Sequence, residues 1–174
     1  MRGERAFSLL ELVIVIVIIS LLLVVAIDRL LRLRFEAERV TVQSVIAALR
    51  SGLYIEFAAA AARGQIQHMD GARGSNPMLR LAEKPDGYAG EFFGADPVLF
   101  EPGTWYFDTR DRALVYLVRF PERFVTPLAG PPRARLAVEP DYDDLDGNGR
   151  FDPGRDPVRG LKLVPLEPFY WKAQ

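Results

Sequence analysis

The feature that most constrains this chain is an apolar run of 21 residues, from Phe7 to Ile27, that contains one charged side chain, Glu11. A helix of that length is about what is needed to cross the roughly 30 Å hydrocarbon core of a bilayer. An ionised carboxylate within a membrane costs on the order of several kcal/mol, so residues of this kind usually serve a function. The run therefore predicts one membrane-spanning helix, with Glu11 as its candidate functional residue.

The helical pattern continues beyond the apolar run without a break. From Phe7 to about Ala62 there is no proline and one glycine, Gly52, and Gly64 is a typical helix stop. In the second half, apolar residues recur at spacings of three and four, which predicts an amphipathic helix with one buried stripe. The predicted stripe comprises Val42, Val45, Ile46, Leu49, Leu53, Phe57 and Ala61.

The region after the helix predicts a turn-rich connector followed by strands. Residues 64–98 contain many glycine, proline, asparagine and aspartate residues. Hydrophobic side chains in this connector are expected to anchor it to the core: Leu79, Leu81, Tyr88, Phe92 and Phe93.

The strand pattern indicates a small head domain. The segments Thr104–Asp108 and Ala113–Val118 flank a short polar stretch and predict a hairpin, and 135–138 and 161–164 predict further strands. The predicted fold is α+β: a long N-terminal helix, membrane-spanning in its first half and amphipathic in its second, packs on a small antiparallel β-sheet head domain.

The N-terminal sequence is similar to a known signal. After a short basic leader, Ala6-Phe7-Ser8-Leu9-Leu10-Glu11 resembles the class III signal of type IV prepilins and type II secretion pseudopilins. The resemblance implies that prepilin peptidase cuts between Ala6 and Phe7 and methylates the new amine; the family usually has glycine before the cut. It also implies that Glu11 neutralises this amine in its own chain or in a neighbouring subunit, because an unpaired buried charge is costly.

The resemblance also implies an organisation and a set of partners. The expected parts are a leader at 1–6, a transmembrane and assembly segment at 7–27, an amphipathic segment at 28–63 and a globular β head at 64–174. The implied function is that of a structural subunit of a type IV pilus-like filament, either a type II secretion pseudopilin or a minor pilin. Its partners would be other pilin or pseudopilin subunits, prepilin peptidase, an inner-membrane platform protein and the membrane. It would be a single-pass protein of the bacterial inner membrane with its head in the periplasm.

Two other interpretations of the N-terminus remain open. In one, the helix is never cleaved and tethers a periplasmic calcium-binding module, and Glu11 has no assembly role. In the other, an ordinary signal peptidase cuts after Val24-Val25-Ala26 and releases a secreted binding protein that begins at Ile27.

A second chemical signal is the acidic loop, residues 141–156. From Asp144 it reads D-x-D-x-N-G-x-x-D, which matches the alternating oxygen ligands of a calcium loop. Arg155 stands where the usual bidentate glutamate is expected, and prolines near the loop argue against flanking helices. The candidate ligands are Asp144, Asp146, Asn148, the Arg150 main chain, Asp152 and Asp156.

The alternative is an ordinary acidic surface turn. The chain has no cysteine and therefore no disulfide. Pseudopilins that lack a disulfide often bind calcium in this region, so the resemblance also implies calcium.

Composition and motifs argue against other functions. The net charge of −1 does not favour nucleic acid as a partner. There is one histidine, His68, and no P-loop, G-x-S-x-G or zinc-ligand spacing, so the chain is not expected to be an enzyme. The aromatic residues Trp105, Tyr106 and Phe107 are expected in the core of the sheet.

Overall fold

The computed structural model describes residues 9–172, and the chain divides into two compact units that meet in sequence between Glu38 and Arg39. Helix α1 runs from Leu9 to Ala62. It ends in a Schellman motif, because Gly64 has a φ of +67° and donates its N–H to the Ala61 carbonyl at 3.0 Å, while Gln65 donates to Ala60 at 2.9 Å. The predicted continuous helix and its glycine stop are confirmed.

From Leu12 to Ile27, α1 is apolar on all sides apart from Ser20. All described side chains from Leu9 to Leu31 are exposed, and of the described elements α1 is the one long and apolar enough to cross a membrane. A helix that is hydrophobic all round requires lipid or protein around it. The structure of this unit therefore agrees with the membrane segment that the sequence predicts.

The second unit is folded around one stripe of α1. Val42, Leu49 and Leu53 are at most 1 % exposed, and Ile46 is also buried. The predicted end of the stripe is wrong by one position, since Ala60 is buried and Ala61 is exposed. Ala60 lies seven residues after Leu53, which is close to two helical turns and keeps it on the same face.

The main sheet has five strands in the order β1-β2-β3-β5-β6, and a separate pair is formed by β4 and β7. β1 pairs with β2 in parallel, whereas the other pairs are antiparallel. The antiparallel sheet predicted from the sequence is confirmed apart from this edge, where residues 93–104 form a crossover between two parallel strands. The strands are β1 Tyr88–Phe92, β2 Trp105–Asp108, β3 Ala113–Leu117, β4 Phe124–Val125, β5 Arg133–Tyr142, β6 Val158–Pro165 and β7 Tyr170–Trp171.

Strands β2 and β3 are buried on both faces. Trp105 and Phe107 belong to the cluster that includes the stripe of α1. On the opposite face, Tyr106 stacks on Phe100 of the crossover at 4.4 Å between ring centroids. The predicted hairpin and the core placement of its aromatic residues are confirmed.

The connector is anchored by some of the predicted residues and by one residue that was not predicted. Leu81 and Tyr88 pack against the main core as expected, but Leu79 is 64 % exposed and Phe93 is 79 % exposed. Met78, which the sequence analysis did not select, is fully buried in the short 3-10 helix Pro77–Arg80. An apolar residue within a short turn carries no periodicity, so its direction is set by the cap at Asn76, whose side chain accepts the Met78 N–H.

The C-terminal segment is held without a disulfide. β7 pairs with β4, and the ring of Phe124 contacts those of Phe169 and Trp171 at 5.7 and 4.8 Å between centroids. The single Nε–H of Arg135 on β5 is shared between the two oxygens of the Glu167 carboxylate, at 3.1 and 3.2 Å, and Nη2 of Arg135 donates to the same carboxylate. Sheet pairing, aromatic packing and an ion pair together fasten this end of the chain.

The contrast between Met78 and its neighbour gives a test of the connector. Met78→Ala should lower the free energy of unfolding by about 2–5 kcal/mol, because it empties a buried site. Leu79→Ala should change it by less than about 0.5 kcal/mol, because the side chain is exposed. Denaturant titration of the detergent-extracted chain measures both, and equal effects would contradict the burial described above.

Candidate functional site

The candidate assembly site lies at the start of α1. Glu11 is in the first described turn of the helix and its side chain is exposed. Ala6 and Phe7, the predicted cleavage and methylation residues, lie outside the described residues. The structure therefore places the carboxylate at the N-terminal end of the apolar surface, and the roles of Ala6, Phe7 and Glu11 stay predictions.

Ser20 is a second polar side chain in the apolar segment, and its hydroxyl is hydrogen-bonded within the helix. Its hydroxyl donates to the Ile16 carbonyl at 2.8 Å, four residues earlier. A hydroxyl that is satisfied in this way needs no partner from another helix. Glu11 differs from Ser20 because a carboxylate carries a full charge, whose burial requires a counter-charge.

The acidic loop connects β5 to β6 at one end of the sheet. The loop is closed at its base, where the Asp143 N–H donates to the Pro157 carbonyl at 3.0 Å. The rings of Tyr142 and Phe151 lie 5.1 Å apart between centroids across the loop. The prediction that the loop lies between strands, without flanking helices, is confirmed.

Asp144 organises the first turn of the loop. One of its oxygens accepts the Gly147 N–H and the other accepts the Gly149 N–H, both at 2.8 Å. Gly147 and Gly149 have φ values of +71° and +73°, in the region that favours glycine. These amides favour the charged carboxylate, with Gly149 as the largest cause, and they lower the pKa of Asp144 below its ordinary value of 3.8.

The next candidate ligands are also engaged in local bonds. Asp146 accepts the Asn148 N–H at 3.2 Å and pairs with Arg155 at 3.3 Å. Asn148 accepts the Arg150 N–H at 2.7 Å and donates to the Asp152 carboxylate at 2.8 Å. Asp144, Asp146 and Asn148 are thus brought onto one exposed loop, and each already accepts at least one backbone N–H.

Asp156 has a position that the sequence did not predict. It is 4 % exposed, so it is a buried carboxylate in the part of the chain that the structure describes. Its oxygens accept the N–H groups of Leu145 at 3.3 Å and Asp152 at 2.9 Å. Asp156 therefore ties the two sides of the loop together, and this bracing role is independent of its candidate role as a ligand.

The loop fits calcium in donor type, because carboxylate and amide oxygens are the ligands that calcium prefers. In arrangement the fit is incomplete. Among the described residues, no group of three or more acidic or histidine side chains is placed to hold a metal ion. Binding calcium would require Asp146 to exchange Arg155 for the ion, and Asp152 to turn from Asn148.

A second buried carboxylate, Asp108, was missed by the sequence analysis. It is 5 % exposed at the end of β2 and accepts the N–H groups of Gly94 and Arg110, each at 2.9 Å. An aspartate at the start of a turn is a known signal for such bonds. Its contact with Gly94 joins the crossover to the hairpin, which no sequence pattern indicates.

Comparison with known proteins identifies the N-terminal signal. Residues 1–27 match the family model described as the prokaryotic N-terminal methylation motif. This motif is the class III prepilin signal of type IV pilins and pseudopilins, so the resemblance drawn from residues 6–11 is confirmed. The α+β architecture, with one long apolar N-terminal helix and a small, mostly antiparallel sheet, fits a pilin-like fold. No curated protein and no solved structure matches the chain.

The hydrogen bonds of Asp144 predict a pH dependence. The pKa of Asp144 is lower in the folded loop than in the unfolded chain, so between these two pKa values the folded loop binds fewer protons and its stability rises with pH. The stability that Asp144 contributes is complete above its ordinary pKa of 3.8 and is lost as the pH falls through the lowered pKa of the folded loop. In NMR spectra of the protein in detergent, the amide protons of Gly147 and Gly149 should shift together over that range. They should not do so in Asp144→Asn, and an unchanged titration in that variant would assign the shift to another group.

Proposed function

We propose that this chain, which carries the prepilin signal, is a structural subunit of a type IV pilus-like filament, either a type II secretion pseudopilin or a minor pilin. In this proposal prepilin peptidase cuts between Ala6 and Phe7 and methylates the Phe7 amine. The mature chain is then held in the inner membrane by α1, with the head in the periplasm, until it is polymerised. Proteins with this signal are structural rather than catalytic, and we assign no enzymatic activity to the chain.

The observation that carries the proposal is the match of residues 1–27 to the methylation motif. The structure adds that the matched region forms most of a helical segment that is exposed from Leu9 to Leu31 and almost wholly apolar from Leu12 to Ile27. Such a surface has to be covered by lipid before assembly and by lipid or neighbouring helices afterwards.

Apolar burial alone does not drive the subunit from the membrane into a filament. Lipid tails are as apolar as leucine side chains, so exchanging one for the other gains little hydrophobic free energy. Polar contacts therefore have to favour the filament over the membrane-bound subunit. In the proposed filament the methylated Phe7 amine is a counter-charge for Glu11, and a register that brings the two charges together is favoured because pairing offsets the cost of burying them.

We further propose that the acidic loop is a calcium loop. The supporting observations are the alternating oxygen donors and the two positive-φ glycines that fold Asp144, Asp146 and Asn148 onto one turn. The ion would be held by those side chains, the Arg150 carbonyl and Asp152, while Asp156 braces the loop and is a further candidate ligand. Calcium would supply positive charge that offsets the mutual repulsion of the carboxylates.

The second candidate function is a periplasmic calcium-binding module tethered by an uncleaved helix. The acidic loop supports the tethered module as well as it supports the filament subunit, because a calcium loop is compatible with both functions. The two candidates differ at the N-terminus, since a tethered module needs neither a cut before Phe7 nor a charge at Glu11.

Glu11→Leu tests the assembly proposal. The change should abolish incorporation of the chain into sheared filaments, because the register loses its charge pair, while the head domain keeps its melting temperature. Ser20→Ala is the matched control, because the Ser20 hydroxyl bonds within its own helix, and this variant should assemble normally. Incorporation of Glu11→Leu at the wild-type level would refute the role of Glu11.

The intact mass of the membrane-extracted chain decides between the two candidates. A mature chain that begins with methylated Phe7 is the expected result. A chain that begins at Met1 would favour the tethered module, and one that begins at Ile27 would identify a secreted protein.

Calcium binding predicts a change in thermal stability. Calcium should raise the melting temperature of the head domain in the intact protein, because a ligand that binds the folded state stabilises it. EDTA should remove the increase, and Asp146→Ala should weaken it. Asp143→Ala is the matched control, because it removes a carboxylate that is not a proposed ligand. Identical melting curves of the wild type in calcium and in EDTA would contradict the calcium site.

Arg155 gives an independent test of the same loop. It occupies the position where calcium loops have a bidentate glutamate, and it pairs with Asp146. Arg155→Glu should therefore tighten calcium binding by more than Arg155→Ala, as measured by calorimetry. Equal affinities in the two variants would show that this position does not contact the ion.

A further inference from the structure

The head domain exposes an apolar surface, here called the apolar tip, formed by Phe93, Val98 and Leu99 of the crossover. These side chains are 79 %, 69 % and 79 % exposed. The segment that bears them is held in place, because Phe92 meets the ring of Phe100 edge-on at 5.0 Å between centroids. Large apolar side chains that an ordered segment leaves exposed are typical of an interaction surface.

The apolar tip carries an acidic border. Residues 85–104 contain four acidic residues and no lysine or arginine, and Glu91, Asp96 and Glu101 are exposed around the tip. Two arginines from outside the segment lie against it: Arg110 at Gly94, where it is paired with Asp111 at 3.3 Å, and Arg119 at Gly103. The charges of the segment that bears the tip are therefore all negative, and two arginines flank it.

A second surface of the same unit has the complementary character. An open groove of 490 Å³, here called the aromatic groove, lies between α1 and β7. Phe169, Tyr170, Trp171 and Ile46 form its apolar wall, and its charged lining residues are two arginines, Arg39 and Arg50. A groove of this size, with an aromatic wall and two arginines, is suited to receive side chains of a partner.

The two surfaces cannot meet within one molecule. The crossover that bears the tip packs through Phe100 on the sheet face of Tyr106. Phe169 and Trp171 of the groove pack against the opposite cluster, which contains the stripe of α1. Two complementary surfaces on different faces of one subunit make a heterologous contact, which propagates as an open helical polymer unless the rotation closes a ring.

We infer that the apolar tip of one subunit docks in the aromatic groove of a second copy of this chain, as the contact between heads in the filament. The inference rests on the proposed function and adds to it the head-to-head contact. The occupant is argued from charge, because an acidic apolar tip matches an apolar groove lined by Arg39 and Arg50. Such a contact also favours the filament over the membrane-bound subunit. Replacing lipid by neighbouring helices around α1 does not provide that preference.

Cysteine cross-linking tests the contact, because the chain has no native cysteine. Full-length Phe93→Cys and Gln43→Cys, the latter on the exposed lining of the groove, are co-expressed and treated with a short bismaleimide. A covalent dimer is expected when both variants are present, and not with either alone. Leu145→Cys, at an apolar position of the acidic loop that is 65 % exposed, replaces Phe93→Cys as the control and should give no dimer with Gln43→Cys.

Charge reversal tests the specificity of the contact. Arg50→Glu in the Gln43→Cys chain should lower the yield of dimer at least about tenfold, because like charges then face each other. Glu101→Arg in the Phe93→Cys chain should restore it. Loss of dimer without restoration would show that Arg50 and Glu101 do not face each other and would overturn the charge argument.

The remaining outcomes separate this inference from the proposed function. Dimers that form from the Phe93→Cys variant alone would indicate a symmetric contact and would overturn the docking model. A cross-link between Gln43→Cys and a different protein would also overturn it. Absence of any dimer, in filaments that form and depend on Glu11, would overturn the docking model and leave the filament function intact. Absence of dimer together with an N-terminus at Met1 or Ile27 would overturn both.

Discussion

The head domain depends on the burial of one stripe of α1. Val42, Leu49 and Leu53 fill the space between the helix and the sheet, and strands β2 and β3 are covered on their other face by the crossover. The same helix is apolar on nearly all sides from Leu12 to Ile27. One continuous element therefore provides both the core of the head and the surface that requires lipid or other helices. This explains why the chain contains no glycine- or proline-rich linker between its two units.

In the proposed filament, the apolar part of α1 anchors the chain but does not by itself drive assembly. Lipid and neighbouring helices offer similar apolar surroundings, so polar groups would decide between the membrane and the filament. In our proposals these groups are Glu11 in the first unit and the charges of the tip and the groove in the second. The specificity of such an assembly would come from few polar contacts, whereas the apolar surface provides the anchorage.

The acidic loop shows how a cluster of carboxylates is organised by the backbone. Asp144 and Asp156 accept amide N–H groups from both sides of the loop, and Arg155 pairs with Asp146. These bonds fold the turn before any ion is considered. A bound cation would then add charge compensation to an arrangement whose shape is already defined.

The sequence by itself determined the features that depend on a long pattern or on a motif. The uninterrupted helix, its glycine stop, the β2–β3 hairpin, the placement of the acidic loop between strands and the prepilin signal all follow from periodicity, turn residues or a specific order of residue types. Each of these is set by local chain chemistry or by a repeated apolar face. For that reason they could be predicted without knowledge of distant contacts.

Tertiary structure alone decided what depends on residues far apart in sequence. It placed Met78 in the core and left Leu79 and Phe93 on the surface, because a short turn has no periodicity to direct its side chains. It made β1 a parallel strand, and it turned Asp156 inward as a brace between the two sides of the loop. Such choices minimise unpaired polar groups and empty volume over the whole head, and no segment of the sequence contains that information on its own.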